Sequence, residues 1–281
     1  MNSVHVAAVG YLNTLPLIAG LERCSGIDLH RAPPASLVGL LERGEARVAL
    51  VSLIDAARSD VPLSILPVGI IGCDGPTLTV RVSSRVPPSE IRVLHADVES
   101  HTSVALARVV LARRFGVRPA IEPFGPAERE HARTRGEWPE SVLLIGDKVI
   151  TEPPPADDFP HRVDLGEAWK ALTSMPFVYA SWMCRTEDER NADVARTASL
   201  LDRQRRLNAQ RLGSLITRGA AEHRWPVSTA RTYLTDLLRY EPDERAWNAA
   251  RTFLAMCAEE GLIDPSRAEP RFAPFVTPAH A

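Results

Sequence analysis

Short apolar runs alternate with segments of helical periodicity in the N-terminal part of the chain. Residues 6–9 and 48–51 are continuous apolar runs, as expected of parallel strands buried on both faces. Residues 28–32 predict another strand, and a helix that Ser36 can cap follows it and stops at Gly44. The order strand, helix, strand, helix, strand is typical of a doubly wound α/β sheet.

A longer β region comes next. Residues 77–83 alternate strictly between polar and apolar side chains, which predicts a strand with Thr79 and Arg81 on one polar face. For a single alternating strand, a solvated face is the commoner reason for such a pattern. The strand and helix pattern then restarts at residue 91, and an aromatic-rich β segment covers residues 175–183.

Two β/α units joined by two β crossings predict a two-lobed α/β protein that binds a small molecule. Type II periplasmic-binding-protein-like folds are wired in this way. From residue 186 onward the apolar spacing is mostly helical, so the fold carries a helical C-terminal segment. The predicted division places residues 1–84 and 181–281 in a discontinuous first lobe and residues 85–180 in an inserted second lobe.

Two polar turns stand where ligands bind in open α/β sheets. Asn13 follows the first strand and a glycine turn, and Thr14 can cap the helix that begins there. Asn is also common in plain turns, so Asn13 is as readily explained by turn formation. Ser100, Thr102 and Ser103 precede a predicted helix, where hydroxyls and free amides suit a carboxylate or phosphate, although capping alone also explains them.

Composition and charge narrow the class of protein. The 281 residues are 45% hydrophobic and 24% charged with a formal net charge of -2, so no overall basic field favours nucleic acid. No apolar run is long enough to span a bilayer, and no secretory signal is recognisable, which predicts a cytoplasmic protein without a membrane partner. The four cysteines lie far apart, which predicts free thiols and no zinc site.

Several motifs together resemble the chorismate dehydratases of the futalosine menaquinone route. The resemblance covers roughly residues 4–184 in the right order, and Thr79 and His101 stand where that family usually has Ser and Arg. The matching segments are GYLNTLPL (10–17), GPTLTV (75–80), DVESHTS (97–103), LLIGD (143–147), DLGEAW (164–169) and PFVYASW (176–182).

That resemblance implies an enzyme that removes water from chorismate to give 3-[(1-carboxyvinyl)oxy]benzoate without a metal or an organic cofactor. It implies catalytic roles for Asn13, which would orient the substrate or stabilise developing charge, and for Thr79, which would hydrogen-bond the reacting region. The substrate-binding residues that it implies are Ser52, Ser100, Thr102, Ser103 and Gly146.

Three other functions share this fold and stay open at this point. One is the sister enzyme 1,4-dihydroxy-6-naphthoate synthase, although the GYLNT segment favours the dehydratase. Another is a non-catalytic protein that binds small anions for a transporter, and the third is a ligand-sensing regulatory domain. The sequence leaves the choice between monomer and dimer open, and also whether the C-terminal helices brace the first lobe or form an interface.

Overall fold

The computed structural model describes residues 3–274 and contains two β-sheets flanked by helices. The strands are β1 (Val4–Ala8), β2 (Ile27–Arg31), β3 (Val48–Ser52), β4 (Leu63–Cys73), β5 (Val80–Ser84), β6 (Val93–Asp97), β7 (Ala120–Phe124), β8 (Ser141–Ile145), β9 (His161–Asp164), β10 (Phe177–Arg185) and β11 (Leu238–Arg239). The α-helices are α1 (Leu15–Ile18), α2 (Pro34–Glu42), α3 (Asp55–Arg58), α4 (His101–Phe115), α5 (Pro126–Arg135), α6 (Lys148–Thr151), α7 (Leu165–Thr173), α8 (Ala192–Gln210), α9 (Leu212–Glu222), α10 (Val227–Thr232) and α11 (Glu244–Glu259).

The first sheet has the strand order β11-β4-β10-β3-β1-β2. β1 pairs in parallel with β2 and β3, whereas β10 is antiparallel to both β3 and β4. Every residue of β3 is buried, which agrees with the continuous apolar run that predicted it. The predicted doubly wound opening is therefore present. Ser36 differs from prediction, because α2 begins at Pro34 and the Ser36 hydroxyl donates to the Pro33 carbonyl instead of capping the helix.

The second sheet has the strand order β7-β6-β8-β5-β9. Its strand β5 begins only at Val80, so the predicted alternating strand over residues 77–83 is wrong in its first three residues. Leu78 has a φ of 65°, in the left-handed region. The Asp164 carboxylate accepts hydrogen bonds from the amides of Thr77 and Leu78, which holds this segment in a turn.

The chain passes between the sheets twice, before β5 and before β10. The predicted division at residues 84 and 180 differs slightly from this pairing. Strand β5 pairs with β8 and β9 of the second sheet, and the start of β10 at Phe177 already pairs with β4 of the first. The crossing segments therefore lie a few residues N-terminal to the predicted positions, and the cleft between the sheets has Thr77 and Thr79 at its edge.

The C-terminal helices pack on the first sheet. Helix α8 lies against α1 and β4, and Gln204 and Asn208 donate from it to the Ala19 carbonyl. Helix α11 contacts β10, where Phe253 meets Phe177 in an edge-to-face arrangement with ring centroids 5.0 Å apart. These buried contacts indicate that the helices brace the first lobe.

Candidate functional site

A cleft opens between the two sheets and collects most of the predicted site residues. Its walls come from the turn after β1, the ends of β3 and β8, the start of α4 and the C-terminal helical region. The predicted residues that line it are Asn13, Ser52, Thr79, Ser100, Ser103 and Gly146.

Asn13 lies in a 3₁₀ turn, Leu12–Thr14, between β1 and α1. Thr14 closes this turn, because its hydroxyl is within hydrogen-bond distance of the carbonyls of Val9 (2.9 Å) and Tyr11 (2.8 Å). The prediction that Thr14 caps the helix is therefore wrong. The Asn13 Oδ1 atom is buried at the cleft and has no hydrogen-bond partner among the described residues. An unpaired buried amide oxygen is costly, so it indicates a polar group that the site is built to receive.

Thr79 faces the cleft from the segment that precedes β5 and is 2% exposed. Its Oγ1 atom lies 2.6 Å from the phenolic oxygen of Tyr233, and either hydroxyl can donate. Tyr233 begins a π-helical turn, Tyr233–Leu237, and stacks on Trp225 with ring centroids 5.0 Å apart. Burial raises the pKa of Tyr233 well above its usual value, so the phenol stays protonated at neutral pH.

The serines of the second lobe stand at the N-terminus of α4. Ser100 is the N-cap residue, and its Oγ accepts from the Ser103 amide at 3.2 Å. Its hydroxyl also donates to Ser103 Oγ at 2.8 Å. Both serines line the cleft, where the free amides and the positive end of the helix favour a negatively charged group.

Thr102 is the exception among the predicted site residues. It is fully buried and is not part of the cleft wall. Its hydroxyl instead accepts a hydrogen bond from the Ile54 amide at 3.1 Å, which ties the start of α4 to the loop after β3. Thr102, which lies between the two cleft serines in the sequence, therefore connects the two lobes.

Ser52 and Gly146 stand at strand ends, as predicted. Ser52 ends β3, and Gly146 directly follows β8 with a φ of 69°. The Gly146 amide donates to the Thr79 carbonyl at 2.8 Å. A Cβ atom at Gly146 would lie 2.9 Å from the ring of Tyr11, so this position needs glycine for its backbone angle and for space.

The sequence analysis missed three tyrosines that line the cleft: Tyr11, Tyr179 and Tyr233. Tyr11 and Tyr179 lie inside recognised segments, and their closeness to Asn13 and to the β10 crossing was a usable signal. Tyr233 had no such signal, because it comes from the helical third of the chain. Burial also raises the pKa of Tyr179 well above its usual value.

None of the described residues that line the cleft carries a carboxylate, an imidazole, an amine or a guanidinium. Charged groups gather instead behind the ring of Tyr11. Lys148 lies 2.6 Å from Asp97 and also bonds Glu99, which accepts from the Tyr11 phenol. Burial raises the pKa of Asp97, and the Lys148 ammonium opposes this shift.

A second ionic contact joins the lobes beside this cluster. His223 Nδ1 lies 2.7 Å from the Asp147 carboxylate, which also accepts from the Leu12 amide. The hydrogen bond to Asp147 raises the pKa of His223, although partial burial acts in the opposite direction. On the far side of the cleft, His101 pairs with buried Asp55 at 2.8 Å, and its pKa is raised for the same reason.

Within residues 3–274 no group of three or more His, Cys, Asp or Glu side chains is arranged to hold a metal ion. None of the helices in this part of the chain has the length and apolar character needed to cross a membrane. The four cysteines are free thiols, as predicted.

Solved structures with low sequence identity share the fold. A crystal structure of a protein from Archaeoglobus fulgidus is 17% identical, with a TM-score of 0.69 over 93% of this chain and 98% of its own. The alkanesulfonate-binding protein SsuA from Xanthomonas axonopodis pv. citri is 14% identical, with a TM-score of 0.67 over 96% of both chains. The predicted two-lobed periplasmic-binding-protein-like fold with its helical C-terminal segment is confirmed.

Similarity in sequence identifies the family of the chain. The family described as "Menaquinone biosynthesis" matches residues 4–259. A chorismate dehydratase from Thermus thermophilus is 30% identical over 192 residues, which are 63% of this chain and 68% of the relative. With a family match over most of its length and a fold that agrees with it, the chain belongs to the menaquinone biosynthesis family.

Proposed function

We propose that this protein is a chorismate dehydratase, a hydro-lyase that converts chorismate to 3-[(1-carboxyvinyl)oxy]benzoate and water. The family and the Thermus thermophilus relative support this reaction. The observation that carries it is the cleft itself, where Asn13, Thr79 and the N-terminus of α4 line one uncharged space.

The reaction removes a proton and a hydroxyl group from neighbouring ring carbons and leaves an aromatic ring. Aromatisation makes it favourable overall, so the protein must mainly orient the groups that react. Asn13 would do this from the first lobe and Thr79 from the segment that crosses between the lobes. The unpaired Oδ1 of Asn13 can accept a hydrogen bond from a substrate hydroxyl, and the Asn13 amide group can donate to developing negative charge.

Tyr233 supports Thr79 in this role. Its phenol stays protonated and lies 2.6 Å from the Thr79 hydroxyl, so it can donate to Thr79 and leave the Thr79 proton for the substrate. Tyr233 is thus a positioning residue for Thr79, and Thr79 touches the substrate.

One of the two substrate carboxylates would bind at the start of α4. Ser100 and Ser103 present hydroxyls there beside the free amides of a 15-residue helix. Helix N-termini bind anions without a formal positive charge. If one substrate carboxylate binds there, the other substrate carboxylate is free to act as the proton acceptor.

The proton acceptor would be the second carboxylate of the substrate. The described cleft residues include no group that is a strong base near pH 7, and the buried tyrosines are held neutral. An intramolecular carboxylate that is held against the ring proton gains from proximity. Because the described cleft wall carries no cation, nothing in it stabilises the charge of that carboxylate and weakens it as a base.

The test is to mix the purified protein with chorismate and follow the product by chromatography and mass. We expect a product lighter by one water with an aromatic ultraviolet spectrum. Asn13→Ala should lower kcat by about a hundredfold or more, as loss of an oxyanion-type amide does in other enzymes. Thr79→Ala should lower it by about tenfold or more.

Thr217→Ala is the matched control for Thr79→Ala, because Thr217 is an exposed threonine on α9 whose hydroxyl bonds only the Gly213 carbonyl. It should keep full turnover. If both cleft variants folded normally and kept near-full turnover, the assignment of this site would be wrong. Thermal stabilisation by chorismate without turnover would instead indicate a binding protein.

The remaining predictions about cellular context stay predictions. We place the reaction in the cytoplasm, with chorismate as the small-molecule partner and with neither nucleic acid nor membrane involved.

A further inference from the structure

A second groove lies on the face of β5 and β9, and it shares no lining residue with the cleft. It lies between this sheet face and the segment around Pro154, and its space of about 820 Å³ includes open solvent. Strands β5 and β9 are antiparallel neighbours. In their register Ser83 lies opposite Arg162, and Arg81 lies opposite Asp164. Because side chains two apart share a face, Arg81, Ser83 and Arg162 all point to this groove.

Arg81 differs from the other arginines of the described chain. Each of the other arginines that is at least partly buried donates to a protein oxygen, whereas the Arg81 guanidinium has no acceptor within residues 3–274. Partial burial lowers the pKa of Arg81, Asp164 opposes this shift, and the charge of Arg162 adds to it. A half-buried cation without a partner is unfavourable, and a second cation beside it makes this worse.

The acid that stands opposite Arg81 in the strand ladder, Asp164, makes no hydrogen bond or close ion pair with it. The Asp164 carboxylate accepts from four backbone amides, those of Thr77, Leu78, Gly166 and Glu167. It holds the turn before β5 and caps α7, so its hydrogen bonds go to the backbone, and its charge acts on Arg81 only from a distance. Arg162 is exposed and makes no ion pair with the described residues. The groove therefore presents two free guanidinium groups and the hydroxyl of Ser83.

The rest of the groove is apolar. Leu144 stands beside Arg81 in the neighbouring strand of the sheet, and Ile150 and Pro154 form the opposite wall. Such a combination suits a ligand that is charged at one end and apolar at the other. Guanidinium groups bind carboxylates through paired, charge-assisted hydrogen bonds, and the apolar wall would cover the body of the ligand.

We propose that Arg81, Arg162 and Ser83 form a second binding site, which takes a carboxylate carried on an aromatic or alkyl body. The site is independent of the chemistry in the cleft, and its existence does not rest on the proposed function. The carboxylate lies between the two guanidinium groups, and the body lies against Leu144 and Pro154.

The test uses isothermal titration of the full-length protein with three probes. Benzoate carries both the charge and the apolar body, acetate carries only the charge, and benzyl alcohol carries only the body. We expect benzoate to bind at least about tenfold more tightly than either of the others, since both halves of the groove contribute.

Substitutions of arginine residues test where benzoate binds. Arg81→Gln and Arg162→Gln should each weaken benzoate binding by about tenfold or more, since each removes a charge-assisted hydrogen bond. Arg92→Gln is the matched control, an exposed arginine of the same lobe that makes no ion pair with the described residues, and it should bind as the unchanged protein does. If Arg81→Gln fails to fold, Arg162→Gln decides alone, because Arg162 is exposed.

Four results would overturn the proposal. Benzoate could fail to bind, or bind all three arginine variants equally. Its binding could instead be lost in Asn13→Ala and kept in Arg81→Gln, which would place it in the cleft. Equal affinities for benzoate and acetate would show that the apolar wall contributes nothing and would reject the proposed ligand class.

Discussion

The cleft and the charged cluster behind it lie on opposite sides of one aromatic ring, that of Tyr11. On the cleft side the polar groups are hydroxyls and an amide, all uncharged. On the other side Asp97, Glu99 and Lys148 form a compact ionic network that the Tyr11 phenol joins. The two regions divide the work. The ionic network lies within the second lobe and is joined to the first through the Tyr11 phenol, whereas uncharged groups face the substrate.

This difference explains how a dianionic substrate can fit a cleft without cations. A lysine inside the cleft would bind a carboxylate more strongly, but it would also weaken that carboxylate as a base. Helix amides and hydroxyls bind it without transferring a proton. The charged network lies behind Tyr11, whose ring separates it from the cleft.

The largest effect should come from breaking the charged network at Lys148. Its side chain is 7% exposed and pairs with Asp97, which is 1% exposed. Lys148→Met leaves a buried carboxylate without its partner, so we expect a loss of about 3–5 kcal/mol in the free energy of unfolding. Urea denaturation measures it.

Lys170→Met is the matched control for that variant. Lys170 pairs with Asp74 where both side chains are about a third exposed, at 34% and 27%. Such a pair contributes about 1 kcal/mol or less, because water screens it. Equal losses for the two lysines would contradict the buried network.

Gly146→Ala tests the boundary between the two regions. The added methyl would lie 2.9 Å from the Tyr11 ring at a backbone φ of 69°. We expect a loss of about 1–3 kcal/mol in stability together with lower turnover, because Tyr11 must move. Gly116→Ala has a similar φ of 72° but nothing within 4 Å, so it should cost about 1 kcal/mol and spare turnover.

Tyr233→Phe tests the uncharged cleft, because it removes the hydroxyl that lies within hydrogen-bond distance of Thr79. We expect kcat to fall by about tenfold, with little change in KM, because one hydrogen bond that directs Thr79 is lost. Tyr240→Phe is the control, since the Tyr240 hydroxyl is buried and has no partner among the described residues. Its removal should leave turnover unchanged, and a matching fall in both variants would remove Tyr233 from the site.

The smallest effect concerns pH. Asp147 raises the pKa of His223, so their contact stabilises the fold fully below the unfolded histidine pKa of about 6.5. That stabilisation is lost as the pH rises through the higher folded value. The stability difference between the unchanged protein and His223→Gln should be below about 1 kcal/mol and should shrink from pH 6 to pH 8. His161→Gln, which removes no ion pair with described residues, should show no such trend.

The sequence was informative where function depends on local structure. Asn13, Ser100 and Ser103 were predicted because each follows a strand and precedes a helix, and both strand ends open on the cleft. Thr102 is the one predicted site residue that the structure does not bring to the cleft wall, and the reason is again local. One residue of rotation along α4 turns its side chain from the cleft to the Ile54 amide.

Two features could not be predicted because they depend on distant partners. The turn before β5 is held by Asp164, 86 residues further along the chain from Leu78. The alternation over residues 77–83 is a local pattern and carries no information about that carboxylate. Tyr233 contacts Thr79 although 154 residues separate them in the sequence. The spacing of residues in a helical segment does not predict such a long-range contact.

The contact between Tyr233 and Thr79 also has a consequence for how the protein is made. Synthesis proceeds from the N-terminus, so Asn13, Thr79 and Gly146 leave the ribosome well before Tyr233 does. Strand β11, which completes the edge of the first sheet next to β4, emerges later still. A nascent chain can therefore begin to shape both lobes while its cleft still lacks one wall. A chain that stops before residue 233 would lack Tyr233, strand β11 and helix α11, so we expect it to have neither a complete first lobe nor a complete cleft.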